Sequence, residues 1–305
     1  MFSECEGGTS MNVEHLFDSK KVVYSLEVFP PKKSSSVDAI YNTLYGLRGL
    51  KPDFISVTYG AAGSETQRIK TGEIAALILS EYGVEPISHL TCAGSTKEDI
   101  RAYLDMLKEK KVQNILALRG DITPDNPVKD FAHATDLMRF IKEYDDSFNI
   151  SGACYPEGHP ESEDFAEDIE NMKRKVDAGC GHFISQLFFD NNKFYEFCDR
   201  VKSAGIDAPV EAGIMPITKA NQIERMVTMS GSSVPSGFSK MLSRYCNDDN
   251  ALMDAGIFYA TQQILELLDH DVRGIHLYTM NSVEIATRIT NSVENIIHSI
   301  NNEDK

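Results

Sequence analysis

The chain has 305 residues, 42% hydrophobic and 25% charged, with 30 Lys+Arg set against 46 Asp+Glu and a formal net charge of -16 at pH 7. That composition excludes a disordered or collagen-like chain, and the length suits one large α/β barrel or two ordinary domains. The acidic balance, with no Lys/Arg-rich run, excludes nucleic acid as a partner but leaves small anionic ligands open to a local basic patch.

Residues 1–20 are polar, lack a basic region leading into an apolar stretch, and read as a short N-terminal extension rather than a signal peptide. Strand-type and helix-type segments then alternate. Strand Val22–Phe29 precedes helix Val37–Leu50, strand Asp53–Tyr59 precedes helix Thr66–Tyr82, and strand Pro86–Cys92 precedes helix Thr96–Lys110. Strand Asn114–Gly120 and helix Phe131–Tyr144 follow, then strand Phe148–Pro156 and helix Glu163–Ala178. Strand His182–Phe189 leads to helix Asn192–Ala204, and strand Pro209–Pro216 to helices Lys219–Met229 and Ala251–Leu268. Strand Gly274–Met280 and helix Ser282–Ile297 complete the series. Strands alternating with helices imply parallel strands joined by crossovers, and this repeat length predicts a single α/β (β/α)8 TIM barrel with an extra helix before the last strand.

A doubly wound open sheet is the rival. It needs a Gly-rich phosphate turn after an early strand, and Gly60-Ala61-Ala62-Gly63 has the wrong spacing for GxGxxG. No P-loop, HExxH or GxSxG occurs, and no Pro/Gly/Ser-rich linker divides the chain, so residues 1–305 read as one barrel. No apolar run reaches the roughly 18 residues of a membrane span. Cys5, Cys92, Cys154, Cys180, Cys198 and Cys246 lie far apart without a CxxC pair, which fits reduced, structural thiols in a cytoplasmic protein.

A barrel carries its active site at the C-terminal ends of its strands. Those ends here hold Glu27, Thr58-Tyr59-Gly60, His89, Arg119-Gly120-Asp121, Tyr155 with His159, Gln186, and Tyr278-Thr279-Met280-Asn281. Taken singly, His89 reads as a hydrogen-bonded core histidine, and Arg119 with Asp121 reads equally as a structural ion pair. A carboxylate in the apolar string Leu26-Glu27-Val28-Phe29 needs a partner or a proton. No pair of His, Cys or carboxylate residues on these strands has metal-ligand spacing, so no metal is expected.

Together the strings say more. Glu27-Val28-Phe29-Pro30-Pro31-Lys32, Ser56-Val57-Thr58-Tyr59-Gly60-Ala61, His89-Leu90-Thr91-Cys92 and Ala117-Leu118-Arg119-Gly120-Asp121 stand in order. They are followed by Tyr155-Pro156-Glu157-Gly158-His159-Pro160-Glu161, Lys173-Arg174-Lys175-Val176-Asp177-Ala178-Gly179, Gln186-Leu187-Phe188-Phe189-Asp190 and His276-Leu277-Tyr278-Thr279-Met280-Asn281. From about Val22 to Ile289 the chain resembles methylenetetrahydrofolate reductase.

The resemblance implies a flavoprotein that reduces 5,10-methylenetetrahydrofolate to 5-methyltetrahydrofolate, with NAD(P)H reducing FAD and the flavin then reducing the folate, ping-pong at one face. It implies Glu27 as the general acid that protonates the folate nitrogen leaving on ring opening, a task for a carboxyl that an apolar strand keeps protonated. Asp121 is implied as a second catalytic carboxylate, beside flavin and pterin. FAD contacts carried over are Tyr59, Ala61, His89, Arg119, Gly120, Asp121, Ala134, Tyr155, His159, Ser162, Asp168, Asn171, Arg174 and Lys175. Arg119, Arg174 and Lys175 would neutralise the pyrophosphate. Thr58, Gln186, Gln222 and Tyr278 match substrate-binding positions. Two positions depart from the family: Met226 stands where bacterial members carry a Phe that stacks on substrate, and Ser282 where well-known members carry an Arg that meets the folate. The same resemblance leaves room for electrons from a ferredoxin or Fe–S partner subunit, or for a non-catalytic FAD- or folate-binding subunit. It further implies a homo-oligomer without the C-terminal regulatory domain of eukaryotic relatives.

Overall fold

In the computed structural model, which describes residues 11–31, 38–59, 65–124 and 126–303, the strands are β1 (Val23–Val28), β2 (Phe54–Val57), β3 (Glu85–Thr91), β4 (Asn114–Leu118), β5 (Asn149–Cys154), β6 (Cys180–Ser185), β7 (Val210–Ile214) and β8 (Gly274–Tyr278). Each pairs in parallel with the next, and β8 returns to β1 in the register Glu27 opposite Tyr278, closing the barrel. The helices are α1 (Leu16–Ser19), α2 (Asp38–Leu47), α3 (Glu65–Leu77), α4 (Lys97–Glu109), α5 (Ala134–Tyr144), α6 (Phe165–Asp177), α7 (Asn191–Ser203), α8 (Ala220–Ser230), α9 (Ser236–Tyr245), α10 (Asp249–Asp269) and α11 (Val283–Ile300). None of them is long and apolar enough to cross a membrane among the described residues. Of the cysteines, Cys92, Cys154 and Cys180 are buried free thiols.

The barrel predicted from the alternation is the one observed, with two additions. Helix α9 lies between the expected helices Lys219–Met229 and Ala251–Leu268, in a stretch where no element was expected. The N-terminal residues 13–19 do not trail from the barrel but plug its floor. Side chains alternate along each strand, so Tyr24, Leu26 and Val28 face the helices while Val23, Ser25 and Glu27 face the interior. At the floor Val23, Phe54, Ile87, Leu116 and Ile184 pack with Val13, Leu16 and Phe17 from the N-terminal segment. Asn114 fixes that segment, accepting from the Val13 N–H at 3.1 Å and donating to the Met11 carbonyl at 3.0 Å. Burial of Leu16 and Phe17 is worth about 1.5–3 kcal/mol for each side chain. Above the floor the interior turns polar, and this is where the chemistry lies.

Strand β6 ends at Ser185, short of the predicted Phe189. The Tyr278 hydroxyl crosses the barrel to donate to the Ser185 carbonyl at 2.7 Å. Gly213 allows this crossing: a Cβ there would meet Ser185 O at 2.4 Å and Tyr278 Oη at 2.8 Å. Gly213→Ala should therefore cost about 1–3 kcal/mol. Urea unfolding would check it through a lower midpoint at unchanged slope.

Candidate active site

Glu27 projects from β1 into the mouth of the barrel and keeps 17% of its side chain exposed. Its Oε2 lies 3.6 Å from His89 Nε2 on β3, 3.5 Å from His276 Nε2 on β8 and 3.5 Å from the Ser56 hydroxyl on β2. The surroundings expected from the sequence were apolar. They are instead polar on the inward side, because Ser56, His89 and His276 share the inward parity of Glu27 and only the outward neighbours Leu26 and Val28 are apolar. Burial pushes His89 down to about 4, against the opposing pull of the Glu27 charge, so its imidazole is neutral near neutral pH. Among the described residues His89 Nε2 has no hydrogen-bond partner. A carboxyl set between two imidazoles and open to the mouth can hand a proton to a base arriving there.

His89 also gives the fold an acid-sensitive point. Its folded value of about 4 lies below the ordinary 6.5, so the unfolded chain binds a proton first as pH falls. Stability present above pH 6.5 should decline as pH drops toward about 4. Urea midpoints measured across that window should fall less steeply in His89→Asn than in the wild type.

A second feature flanks this mouth. A cavity of about 500 Å³ brings together Arg119, Ala134, Tyr155, His159, Ser162, Asp168, Asn171, Arg174 and Lys175, nine positions expected to contact FAD. Helix α6 supplies four of them, and the i, i+3, i+7 spacing of Asp168, Asn171 and Lys175 does place them on one face. Asp168 ties down the preceding loop, its Oδ2 accepting from the His159 N–H at 2.8 Å and its Oδ1 from the Ser162 hydroxyl at 2.6 Å. The Tyr155 and His159 rings meet edge to face at 4.6 Å, and burial pushes the Tyr155 phenol up to about 12.

The cations of the cavity are not equivalent. Arg119 is already neutralised: it donates to Glu161 at 2.5 and 2.8 Å, and that hydrogen bond raises its pKa further. The Arg174 guanidinium donates to Asn171 Oδ1 at 3.1 Å. Lys175 donates to a carbonyl, Ala153 O, at 2.7 Å, and loss of hydration lowers its pKa. A desolvated ammonium without a carboxylate in hydrogen-bond contact is short of negative charge, so this cavity fits a phosphate-bearing ligand such as FAD. Its volume lies in the usual range for cofactor sites, about 300–1,000 Å³. Arg139 and His133 also line it, as does Glu161, and none of the three was expected. Arg139 follows Ala134 on α5 by five residues, too far for the motif strings to include it.

The remaining expected positions are dispersed. Thr58 bonds through its backbone, N–H to Val28 O at 2.9 Å, and Tyr59 beside it is buried. Ala61 lies outside the described residues. Gly120 takes a φ of +81°, and a Cβ there would come within 3.0 Å of Thr91 Cβ. Asp121 is exposed at the end of β4, where its carbonyl accepts from Asn126 at 2.8 Å. Gln186 accepts from the Leu187 N–H through its own side chain at 2.9 Å. Gln222 caps α8, its Oε1 accepting from the Thr218 and Lys219 N–H groups, both at 2.9 Å. Any ligand contact from Gln222 falls to its amide nitrogen. Met226 is buried in an apolar cluster with Leu187, Phe189, Met215 and Phe238. Ser282 is the N-cap of α11, accepting from the Ile285 N–H at 3.4 Å. Tyr278 stands beside Glu27, with burial raising its phenol well above the ordinary value.

A parallel barrel with a carboxyl and two imidazoles at its mouth, and alongside it a cavity lined by Arg119, Arg139, Arg174 and Lys175 together with Asp136, Glu161, Glu167 and Asp168, has the architecture of a barrel enzyme, and comparison with known proteins narrows it. Residues 12–294 match the family model for methylenetetrahydrofolate reductase. The chain is 34% identical over 273 residues to the 5,10-methylenetetrahydrofolate reductase of Pectobacterium carotovorum subsp. carotovorum, covering 90% of each. It is 36% identical over 269 residues to that of Salmonella typhimurium, covering 88% of this chain and 90% of the relative. Among solved structures it shares its fold with an uncharacterized Clostridium thermocellum protein that binds two copies of 5-methyl-5,6,7,8-tetrahydrofolic acid. The TM-score is 0.66 at 14% identity, over 94% of this chain and 99% of the other. The chain belongs to the methylenetetrahydrofolate reductase family, a family of oxidoreductases.

Proposed function

We propose that the chain, acting as one catalytic barrel, reduces 5,10-methylenetetrahydrofolate to 5-methyltetrahydrofolate with NAD(P)H as donor and FAD as the intermediate carrier. The observation that carries this reading is Glu27, open to the mouth and flanked by His89 and His276 at 3.6 and 3.5 Å, next to a cavity in which the Lys175 ammonium has no carboxylate in hydrogen-bond contact. FAD, when bound, supplies hydride transfer between nicotinamide and folate. Lys175, Arg174 and Arg139 would hold its phosphates, and Tyr155 would pack against a ring. Glu27 protonates the folate nitrogen released as the five-membered ring opens, which leaves the methylene carbon electrophilic and ready for hydride. Having given up its proton, Glu27 regains one from water at the mouth. Asp121, exposed beside this mouth, would hydrogen-bond the pterin, and Gln186 and Tyr278 would fix its orientation.

The test is the absorbance of the purified, flavin-loaded protein under anaerobic conditions. The expected result is flavin absorbance bleached by NADH or NADPH and restored by methylenetetrahydrofolate. Flavin oxidised by no folate acceptor would refute the reading. Bleaching by reduced ferredoxin but not by nicotinamide would keep the folate chemistry and replace the donor.

A further inference from the structure

Beneath Glu27 a line of polar side chains continues down the barrel interior. Glu211 on β7 and His182 on β6 are both buried, with His182 Nε2 3.0 Å from Glu211 Oε2. The second carboxylate oxygen, Oε1, accepts from the Ser25 hydroxyl at 3.1 Å. The same Ser25 Oγ lies 2.6 Å from His276 Nδ1, and His276 Nε2 in turn faces Glu27. The His182 ring sits in the apolar floor, 5.1 Å from the Phe17 ring and edge-on to Phe54 at 5.9 Å, and its Nδ1 meets Ser151 Oγ at 2.9 Å. A hydrogen-bonded polar pair at such depth adds little stability over apolar side chains of equal volume, so its contribution has to be sought in orientation.

Proton bookkeeping along the line is restrictive. Ser25 has one hydroxyl hydrogen, and of its two acceptors Glu211 Oε1 at 3.1 Å is nearer than the Ile275 carbonyl at 3.5 Å. The 2.6 Å contact to His276 then takes Nδ1–H as donor, which leaves Nε2 an acceptor facing Glu27 Oε2 at 3.5 Å and Ser56 Oγ at 3.4 Å. An acceptor opposite a carboxyl favours its O–H form, whereas a donor there would favour the carboxylate.

We propose that Glu211, held by His182, is a positioning residue for Glu27: through Ser25 it fixes the His276 tautomer that turns Nε2 toward the catalytic carboxyl as a hydrogen-bond acceptor. The proposal rests on Glu27 being the acid of the reaction. The groups facing Glu27 are Ser56 from β2, His89 from β3, and His276 and Tyr278 from β8. Those facing Glu211 are Ser25, His182 and, through charge, Tyr278. Burial keeps both His89 and Tyr278 neutral, so the line acts on Glu27 through His276, beside the Ser56 hydroxyl at 3.5 Å. No proton travels along it.

Two variants test the proposal: Glu211→Gln, whose amide can donate to Ser25 and reverse the line, and Ser25→Ala, which breaks it with little change of volume. In flavin-loaded protein with ¹⁵N-labelled histidine, the His276 resonances, assigned with His276→Gln, should report Nδ1–H in the wild type and Nε2–H in Glu211→Gln. In anaerobic stopped-flow, the alkaline limb of the folate half-reaction should move to lower pH in both variants. Flavin reduction by nicotinamide should stay within about twofold, since that step needs no proton from Glu27. An unchanged tautomer with an unmoved limb, or an equal loss in both half-reactions with the limb unmoved, would overturn the positioning role. Should Glu211→Gln fail to fold, Ser25→Ala decides by the same limb. Folate reduction surviving Glu27→Gln would instead overturn the assignment of the acid, which separates the two failures.

Discussion

Glu27→Gln is expected to abolish folate reduction while leaving flavin reduction by the nicotinamide donor intact. Gln keeps the size of Glu and can still fill the space among Ser56, His89 and His276, and its amide can donate to the bare Nε2 of His276, so the fold should survive. What it loses is the transferable proton. General acid catalysis by a placed side chain contributes about 10²- to 10⁴-fold, and the loss should fall in that range. The rate of flavin re-oxidation by methylenetetrahydrofolate, followed in anaerobic stopped-flow, measures it directly. A loss shared equally by the reductive half-reaction would point to a distorted flavin site and count against the acid role.

Lys175→Met should weaken FAD binding more than any comparable change at Arg119. A charge-assisted hydrogen bond to phosphate contributes about 1.5–3 kcal/mol, roughly 10- to 100-fold in Kd. Lys175 can supply that in full, because its ammonium is desolvated and no carboxylate hydrogen-bonds to it. Arg119 must first exchange Glu161 for the ligand, so Arg119→Gln should cost less than about tenfold. Titration of the flavin-free variants with FAD, read by quenching of flavin fluorescence, tests the ranking. The flavin-free Lys175→Met protein should be no less stable than the wild type, since it sheds a desolvated charge. Tighter FAD binding in Lys175→Met than in Arg119→Gln would refute the ranking.

The barrel was legible because its signals are local. Strands such as Asn114–Leu118 and Phe54–Val57 are short apolar runs, and helices such as α4, with the Thr96 capping box, and α6, with Asp164 as N-cap, carry start signals in the sequence. Helix α9 was not legible: Ser236, Gly237 and Ser239 have weak helical preference, and the preceding Gly231-Ser232-Ser233-Val234-Pro235 reads as a continuing loop. Its helicity comes from tertiary packing of Phe238 and Leu242 onto Phe189 and Leu252. The floor plug escaped notice for a similar reason, since Val13, Leu16 and Phe17 are three apolar residues in a polar stretch whose partners lie on distant strands.

Within the site, the chain order of the motif strings located Glu27 and most of the cationic cavity. Only geometry could reveal that Glu161 occupies Arg119, or that Ser282 caps a helix. The line from Glu27 to His182 crosses strands β1, β8, β7 and β6. A signal for part of it existed all the same: Ser25 and His276 each stand two residues before a site residue on their strands, Glu27 and Tyr278, and so share its inward parity.

The seam between β1 and β8 has a consequence for how the chain is made. Tyr24 pairs with Ile275 and Leu26 with Leu277, while Asn301 clasps Val22 through two hydrogen bonds of 2.9 Å. Both partners of this seam are the extremes of the barrel, so β1 has one unsatisfied edge until residue 278 has left the ribosome. At translation rates of about 5–20 residues per second, that wait is on the order of ten to fifty seconds. During synthesis the growing sheet is open, with an apolar first strand available to another chain. Nascent-chain crowding and chaperone supply, more than the stability of the finished barrel, should therefore govern the yield of soluble protein.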